Sequence, residues 1–488
     1  MGERIFLTES AKDWTDFPPR REAKASSAPR GIKAGGSGRG RNGRRRLQAG
    51  ALRESRSAAG KIVSGAGTAP KGFTRPSRSE RGRGHISSMR AVILAAGEGL
   101  RLRPFTLTRP KVMLPVAGRP ILEYVVEALK ENGITDIHMV IGYQRERIQS
   151  YFENGRRFGV SITYAVQPKQ LGTAHALLQA RQGGAEGPVL VLPGDNLVEP
   201  DTLRALLERS DKDANAMVVT FSPNPSKYGV VKMDGGLVQG ITEKPAASAS
   251  DLINTGIYLF SPKVFELAEW SVRASRFDLT DVLQALIERG EKIQGVEIEG
   301  HWLDIVYPWD ILTVNAKILQ RTAAKTAGVI EPGAIVEGPV TVGKGTVIRS
   351  GSYIRGPTVI GEGCDIGPSV VVFPSTSIGN NVTIGPFTQV RNSVIHNNVS
   401  IGGSSYVANS VIDDGTLTRT HFVTHHGDRL MMVEGDVIPV MDLGAIIGDS
   451  CTFGPQCVIA PGIVVGRRAR VEGPTHVTRD VPNDALVL

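Results

Sequence analysis

Arg90-Ala91-Val92-Ile93-Leu94-Ala95-Ala96-Gly97-Glu98-Gly99-Leu100-Arg101-Leu102-Arg103-Pro104 is the stretch on which the fold turns. Residues 91–94 are apolar without interruption, as in a short strand buried on both faces, and they run directly into a turn with two glycines. Glycines in such a turn let backbone N–H groups approach phosphate oxygens closely. Arg101 can add a bidentate cationic contact. A Gly-x-Gly after a strand is also compatible with a plain tight turn or a dinucleotide-binding loop. The dinucleotide fingerprint, however, needs a third glycine three residues on, and Leu102 stands there.

Moving outward, apolar runs alternate with amphipathic ones. Residues 121–130 have helical periodicity, with Pro120 near the start and Gly133 at the end. Runs at 137–141, 189–192, 217–221 and 257–260 read as strands, and Pro193-Gly194-Asp195-Asn196 follows the second of these. Residues 201–208 read as a helix. Asp278 can cap a further helix at 279–289, which Gly290 ends. This alternation predicts an α/β domain over residues 89–307 with a Rossmann-like, mostly parallel sheet. Ligands of such sheets bind beyond the carboxyl ends of the strands. Residues 308–325 read as a connecting helix within a linker at 308–327.

A different period begins after the linker. Positions 330, 336, 342, 348, 354, 360, 366, 372, 378, 384 and 390 are all Ile or Val. The period slips by one near Ile395, continues at Ile401 and Val407, and resumes at Ile447, Phe453, Ile459, Val465, Val471 and Val477. Ordinary strands alternate with period two and helices with 3.6. A period of six predicts a hexapeptide parallel β-helix over 328–488, each aliphatic side chain entering a thin continuous core.

The chain has 488 residues, three cysteines and a net charge of +9. Its length suggests two or three domains. Three cysteines exclude a disulfide scaffold and suggest a reducing, cytoplasmic setting. No run of about 18 apolar residues suggests a membrane span. A basic balance first suggests a nucleic-acid partner. Residues 1–88, however, hold 20 Lys+Arg against 7 Asp+Glu, a net of +13, which leaves 37 against 41, a net of −4, for 89–488. The basic segment lacks apolar periodicity and reads as disordered. It could be a phosphate-binding tail, a transit peptide, or an extension outside a mature protein that begins at Met89. The last reading is favoured.

The longer string Leu-Ala-Ala-Gly-x-Gly-x-Arg-x-x-Pro-x-Thr-x-x-x-Pro-Lys-x-x-Leu-Pro, which runs through Pro110-Lys111-Val112-Met113-Leu114-Pro115, is far more specific. Residues 92–116 resemble the opening motif of the sugar-1-phosphate nucleotidylyltransferases. The resemblance continues through Gln167-Pro168-Lys169-Gln170-Leu171-Gly172-Thr173-Ala174, Gly194-Asp195-Asn196, Tyr228-Gly229-Val230-Val231, Glu243-Lys244-Pro245, Asn254-Thr255-Gly256 and Trp302-Leu303-Asp304. It implies attack of a sugar-1-phosphate oxygen on the α-phosphorus of UTP or dTTP, with pyrophosphate leaving. Arg101 and Lys111 would neutralise charge there. Asp195 and Asp304 would hold Mg²⁺, for which one or two carboxylates suffice. Ala95, Ala96, Gly97, Gly99, Gln167, Gly172 and Thr173 would surround the nucleotide, Gln167 pairing with a pyrimidine edge. Gly229, Glu243, Lys244 and Asn254 would hold the sugar phosphate, from N-acetylglucosamine or glucose.

The domain order resembles that of bifunctional enzymes whose left-handed, usually trimeric β-helix acetylates an amino sugar from acetyl-CoA. Their base is a His three residues before a Tyr. Here Tyr406 is present but Gly403 stands where that His should be. Arg419-Thr420-His421-Phe422-Val423-Thr424-His425-His426 follows, and His421, His425 and His426 are candidates for a substitute base or a metal site, or mark a plain exposed loop. A non-catalytic regulatory or assembly relative is the alternative. Members of that kind tend to lose the cationic and carboxylate residues, all present here.

Overall fold

The structure, a computed structural model, describes residues 89–183, 187–210, 215–246, 250–298 and 302–488. The reading of 1–88 as a disordered basic extension lies outside the described residues. Among the described residues, no helix is long and apolar enough to cross a membrane.

Arg90–Ala95 lies inside a nine-stranded sheet, with Asp136–Ile141 and Val189–Pro193 parallel on either side. Its apolar run has no polar alternation because both faces are covered, and Ala91, Val92 and Ile93 are all buried. Ser161–Val166 extends the parallel side. In the other half Ile293–Glu297 is parallel to Asn215–Phe221, but the remaining pairings are antiparallel. Leu252–Phe260 runs antiparallel to both Val189–Pro193 and Asn215–Phe221, and the hairpin Gly229–Asp234/Leu237–Glu243 forms the far edge. The sheet is therefore mixed. Antiparallel neighbours need no crossover helix, so this half can bring loops from several strands together within a short length of chain. The helix Leu279–Glu288 starts at Asp278, whose N–H donates to the Asp281 carboxylate at 3.4 Å.

The linker helix runs only over Asp310–Leu319, shorter than expected. Soon after it, Lys325–Thr326 pairs with Val340–Val342 and becomes the first rung of the second domain. That domain is a left-handed β-helix of three parallel sheets with eight, nine and eight strands. Ile348, Ile366, Ile384 and Ile401 stack in register along one sheet. The slip in the repeat is a shortened coil. Ile360 faces Ile378, eighteen residues on, whereas Ile378 faces Ile395, seventeen on. The interruption before Ile447 is an antiparallel hairpin, Gly427–Val433 with Asp436–Leu443, extruded between two coils. Cys364, Cys451 and Cys457 are buried free thiols, and burial pushes Cys451 up to about 12.

One apolar cluster belongs to both domains. It joins Leu102, Phe105, Leu114 and Ile311 to Val394, Val411 and Ile446 of the β-helix. Asn315 is buried between the domains, accepting from Ala117 N–H at 2.9 Å and donating to the Ser375 carbonyl at 2.9 Å.

Candidate active site

The first strand and its parallel neighbour end side by side, Gly194 N–H donating to the Leu94 carbonyl at 2.9 Å. The glycine turn and the Gly194-Asp195-Asn196 tip therefore share the carboxyl end of two central parallel strands. Gly99 has φ +74, and a Cβ there would lie 2.8 Å from Lys111 Cβ, so glycine is needed both for the backbone and for the approach of Lys111.

Lys111 Nζ lies 2.6 Å from Asp195 Oδ2 and 3.2 Å from Asp304 Oδ1. Strand pairing brings the distant Asp304 here, because Trp302–Asp304 runs antiparallel to Asn196–Val198 with Asp304 opposite Asn196. Burial alone would lower the Lys111 pKa, but Asp195 and Asp304 outweigh it and hold the ammonium well above its usual range. Asp304 is pushed up by burial, with the like charge of Asp195 adding and Lys111 opposing. Two carboxylates thus share one cation, and their surplus negative charge and oxygen donors suit a hard divalent cation.

Asn196 adjoins Asp195 in the same motif. When its amide oxygen accepts from Trp302 Nε1 at 2.9 Å, its nitrogen donates to Asp304 at 3.1 Å and Asp195 at 3.2 Å, so it braces both carboxylates. Asp310, behind Asp304, is pushed up to about 6 by burial although its carboxylate accepts from Tyr307 N–H at 2.7 Å and Val306 N–H at 2.9 Å.

Arg101 is not placed with Lys111. Its exposed Nε pairs with Glu434 Oε2 at 2.6 Å, at the tip of the β-helix hairpin. Ala95 and Ala96 are buried at the strand end and Gly97 is exposed. Gln167 is buried, and its Nε2 contacts the Gly172 carbonyl and His175 Nδ1, both at 3.0 Å. In this arrangement its amide nitrogen braces the loop rather than facing outward. Gly172 packs so closely that a Cβ would fall 2.4 Å from the Phe277 carbonyl oxygen. Thr173 Oγ1 accepts from Leu279 N–H at 2.8 Å, tying that loop to the neighbouring helix.

The third group converges as well. A Cβ on Gly229 would lie 3.1 Å from Glu243 Oε2 and 3.5 Å from Asn254 Cβ. Glu243 is opposite Gly229 in the edge hairpin. Asn254 donates to Tyr258 Oη at 2.6 Å. Lys244 is exposed in the left-handed region at φ +39, with Nζ 3.6 Å from Glu243.

On the β-helix, His421 and His425 are exposed and do not join Tyr406. Neither the three-histidine metal site nor a base at either of these positions is assembled. His426 alone reaches Tyr406, Nε2 lying 3.4 Å from the hydroxyl. Its Nδ1 is 2.5 Å from Asp442 Oδ1, and Asn409 Nδ2 donates to Asp442 Oδ2 at 2.6 Å. The bond from His426 holds the Asp442 carboxyl below its usual range. No sequence signal marks Asp442, because it lies on the returning strand of the extruded hairpin, outside the hexapeptide period.

Three family models match the chain: Nucleotidyl transferase over residues 90–321, GMPPB C-terminal domain over 354–423, and Hexapeptide repeat of succinyl-transferase over 444–479. The hairpin falls between the last two. A bifunctional protein GlmU of Methanococcus maripaludis is 36% identical over 82% of this chain and 97% of its own length, and that of a second strain is 39% identical over the same shares. Glucose-1-phosphate thymidylyltransferase of Streptomyces griseus is 35% identical over 53% of this chain and 74% of its own. With the paired carboxylates beyond the ends of central strands and a hexapeptide β-helix following in the chain, the chain belongs to the GlmU family of sugar-1-phosphate nucleotidyltransferases.

Proposed function

We propose that the chain transfers a nucleotidyl group from UTP or dTTP to N-acetylglucosamine 1-phosphate or glucose 1-phosphate. The observation that carries this reading is Lys111 held between Asp195 and Asp304 beyond the carboxyl ends of the central strands. Two polyanions must be brought in line, so positioning and charge neutralisation dominate the rate. Asp195 and Asp304 would hold Mg²⁺, which when bound supplies further neutralisation of the phosphates. Lys111 then stabilises charge building on the transferring phosphoryl group. Ala95, Ala96, Gly97, Gly99, Gly172 and Thr173 wall the nucleotide, with Gln167 shaping the loop that meets its base. Gly229, Glu243, Lys244 and Asn254 receive the sugar phosphate. Arg101 joins the triphosphate by exchanging Glu434 for it. We place the protein in the cytoplasm, its buried free thiols suiting a reducing compartment, and assign it a homotrimer or higher oligomer through the β-helix. Nucleic acid would be met only through residues 1–88.

The test is pyrophosphate release from a panel of nucleotides against sugar phosphates. UTP and dTTP are expected to be the preferred nucleotides, separated by only about tenfold, since one methyl group discriminates weakly. No release from any pair would favour a non-catalytic regulatory or assembly relative.

A second activity is favoured by the Tyr406–His426–Asp442 arrangement. His426 Nε2 could take the proton from an amine, such as that of glucosamine 1-phosphate, as the amine attacks the thioester carbonyl of acetyl-CoA and the thiol departs. Asp442 would orient the imidazole and stabilise its protonated form. Acetylation is expected in the parent protein and to fall about 10²–10⁴-fold in His426→Gln, with pyrophosphate release unchanged. A parent protein without acetylation would leave the β-helix as an assembly module.

A further inference from the structure

Arg109 is a cation that no part of the reaction uses, yet it is 6% exposed. It stands two residues before Lys111 and reaches out of its own domain. Its Nη2 lies 2.8 Å from both Asp413 Oδ1 and Asp414 Oδ2 of the β-helix. The acceptors are themselves anchored. Asp413 is fully buried and its Oδ1 also meets His396 Nδ1 at 2.7 Å. Asp414 N–H donates to that same Oδ1 at 2.8 Å, and Asn397 N–H donates to Asp414 Oδ1 at 2.8 Å. Burial would raise the Asp413 carboxyl, but Arg109 and His396 hold it below its ordinary range. Phe105 completes the seat, its ring centroid 6.0 Å from that of His396.

The path from this seat to Lys111 is short and stiff. Pro110 fixes one dihedral at φ −68, and a tight turn follows, Met113 N–H donating to the Pro110 carbonyl at 2.9 Å and Leu114 N–H to the Lys111 carbonyl at 3.0 Å. A guanidinium that meets two carboxylates on different residues holds orientation as well as charge. We propose that Arg109 is a positioning residue that registers Lys111 against the β-helix, so that the second domain is a structural part of the nucleotidyl-transfer site. This rests on reading Lys111 as a group at the reaction centre.

Removing Arg109 alone strands the buried Asp413, so the informative variant is Arg109→Met/Asp413→Asn, which deletes both charges together. In the full-length protein its thermal midpoint is expected near the parent's. Its kcat for pyrophosphate release is expected to fall about 10²-fold, the scale of a misplacement of about 1 Å away from the chemistry. KM for the nucleotide should stay within about threefold, as for loss of an interaction made in the transition state. A kcat within about threefold of the parent, or a loss carried wholly by KM, overturns the proposal. If that variant does not fold, Asp414→Ala removes the partly exposed acceptor and leaves the Asp413 pair. A fall in kcat of about tenfold is then expected, and unchanged kcat overturns the proposal. Lys111→Ala is measured alongside. Full turnover there removes the underlying reading of Lys111, whereas a dead Lys111→Ala beside a normal double variant removes only the role of Arg109.

Discussion

Replacing Lys111 by alanine is expected to lower pyrophosphate release by about 10²–10³-fold, the loss typical of a preorganised group that meets charge as it develops. The ammonium is mostly buried and fixed by Asp195 at 2.6 Å and Asp304 at 3.2 Å, so it needs little reorganisation when phosphate charge builds beside it. Arginine at this position is expected to restore little. The gap between the two carboxylates fits a compact ammonium, and a planar fork would have to push them apart. The loss should be largely in kcat, measured as initial pyrophosphate release at saturating substrates. A Lys111→Ala protein within tenfold of the parent would show that this cluster is not the reaction centre.

Truncating Phe422 to alanine is expected to destabilise the β-helix by about 3–5 kcal/mol. Phe422 is fully buried where other coils carry small or aliphatic residues, and its ring centroid is 4.9 Å from that of Phe453 in the next coil. The coils above and below are pinned by parallel ladders at Tyr406↔Val423 and Val423↔Val458, so the core cannot collapse into the space left behind. Urea unfolding followed on the β-helix transition should show the shift. A double-mutant cycle with Phe453→Ala should return about 0.5–1.5 kcal/mol of coupling between the rings. A loss below about 1 kcal/mol for Phe422→Ala would mean the coil relaxes more than its ladders suggest.

The hexapeptide period was legible because every coil repeats one requirement, an aliphatic side chain pointing into a thin core. Even the slip near Ile395 could be read, as it is a coil one residue shorter. The first strand was legible for a related reason, since a strand covered on both faces carries no polar alternation. Mixed strand direction was not legible. Leu252–Phe260 has the same apolar character whichever way it runs, and only its partners Val189–Pro193 and Asn215–Phe221 decide.

The same division holds for the site. Lys111, Asp195 and Asp304 could be named from motifs because the chemistry demands those residue types. That they form one cluster follows from the pairing of Asp304 with Asn196, a long-range register no local pattern encodes. The residues that no motif marks act across such distances. Asp442 returns to His426 along an extruded hairpin, Glu434 reaches Arg101 from its tip, and Arg109 finds its carboxylates in the other domain. Residue identity and periodicity set what each segment can bury or bind, so fold class and the candidate site residues could be read along the chain. Which charges meet is decided only when separate segments pack, because a charge–charge contact depends on distance in space and leaves no spacing in the sequence.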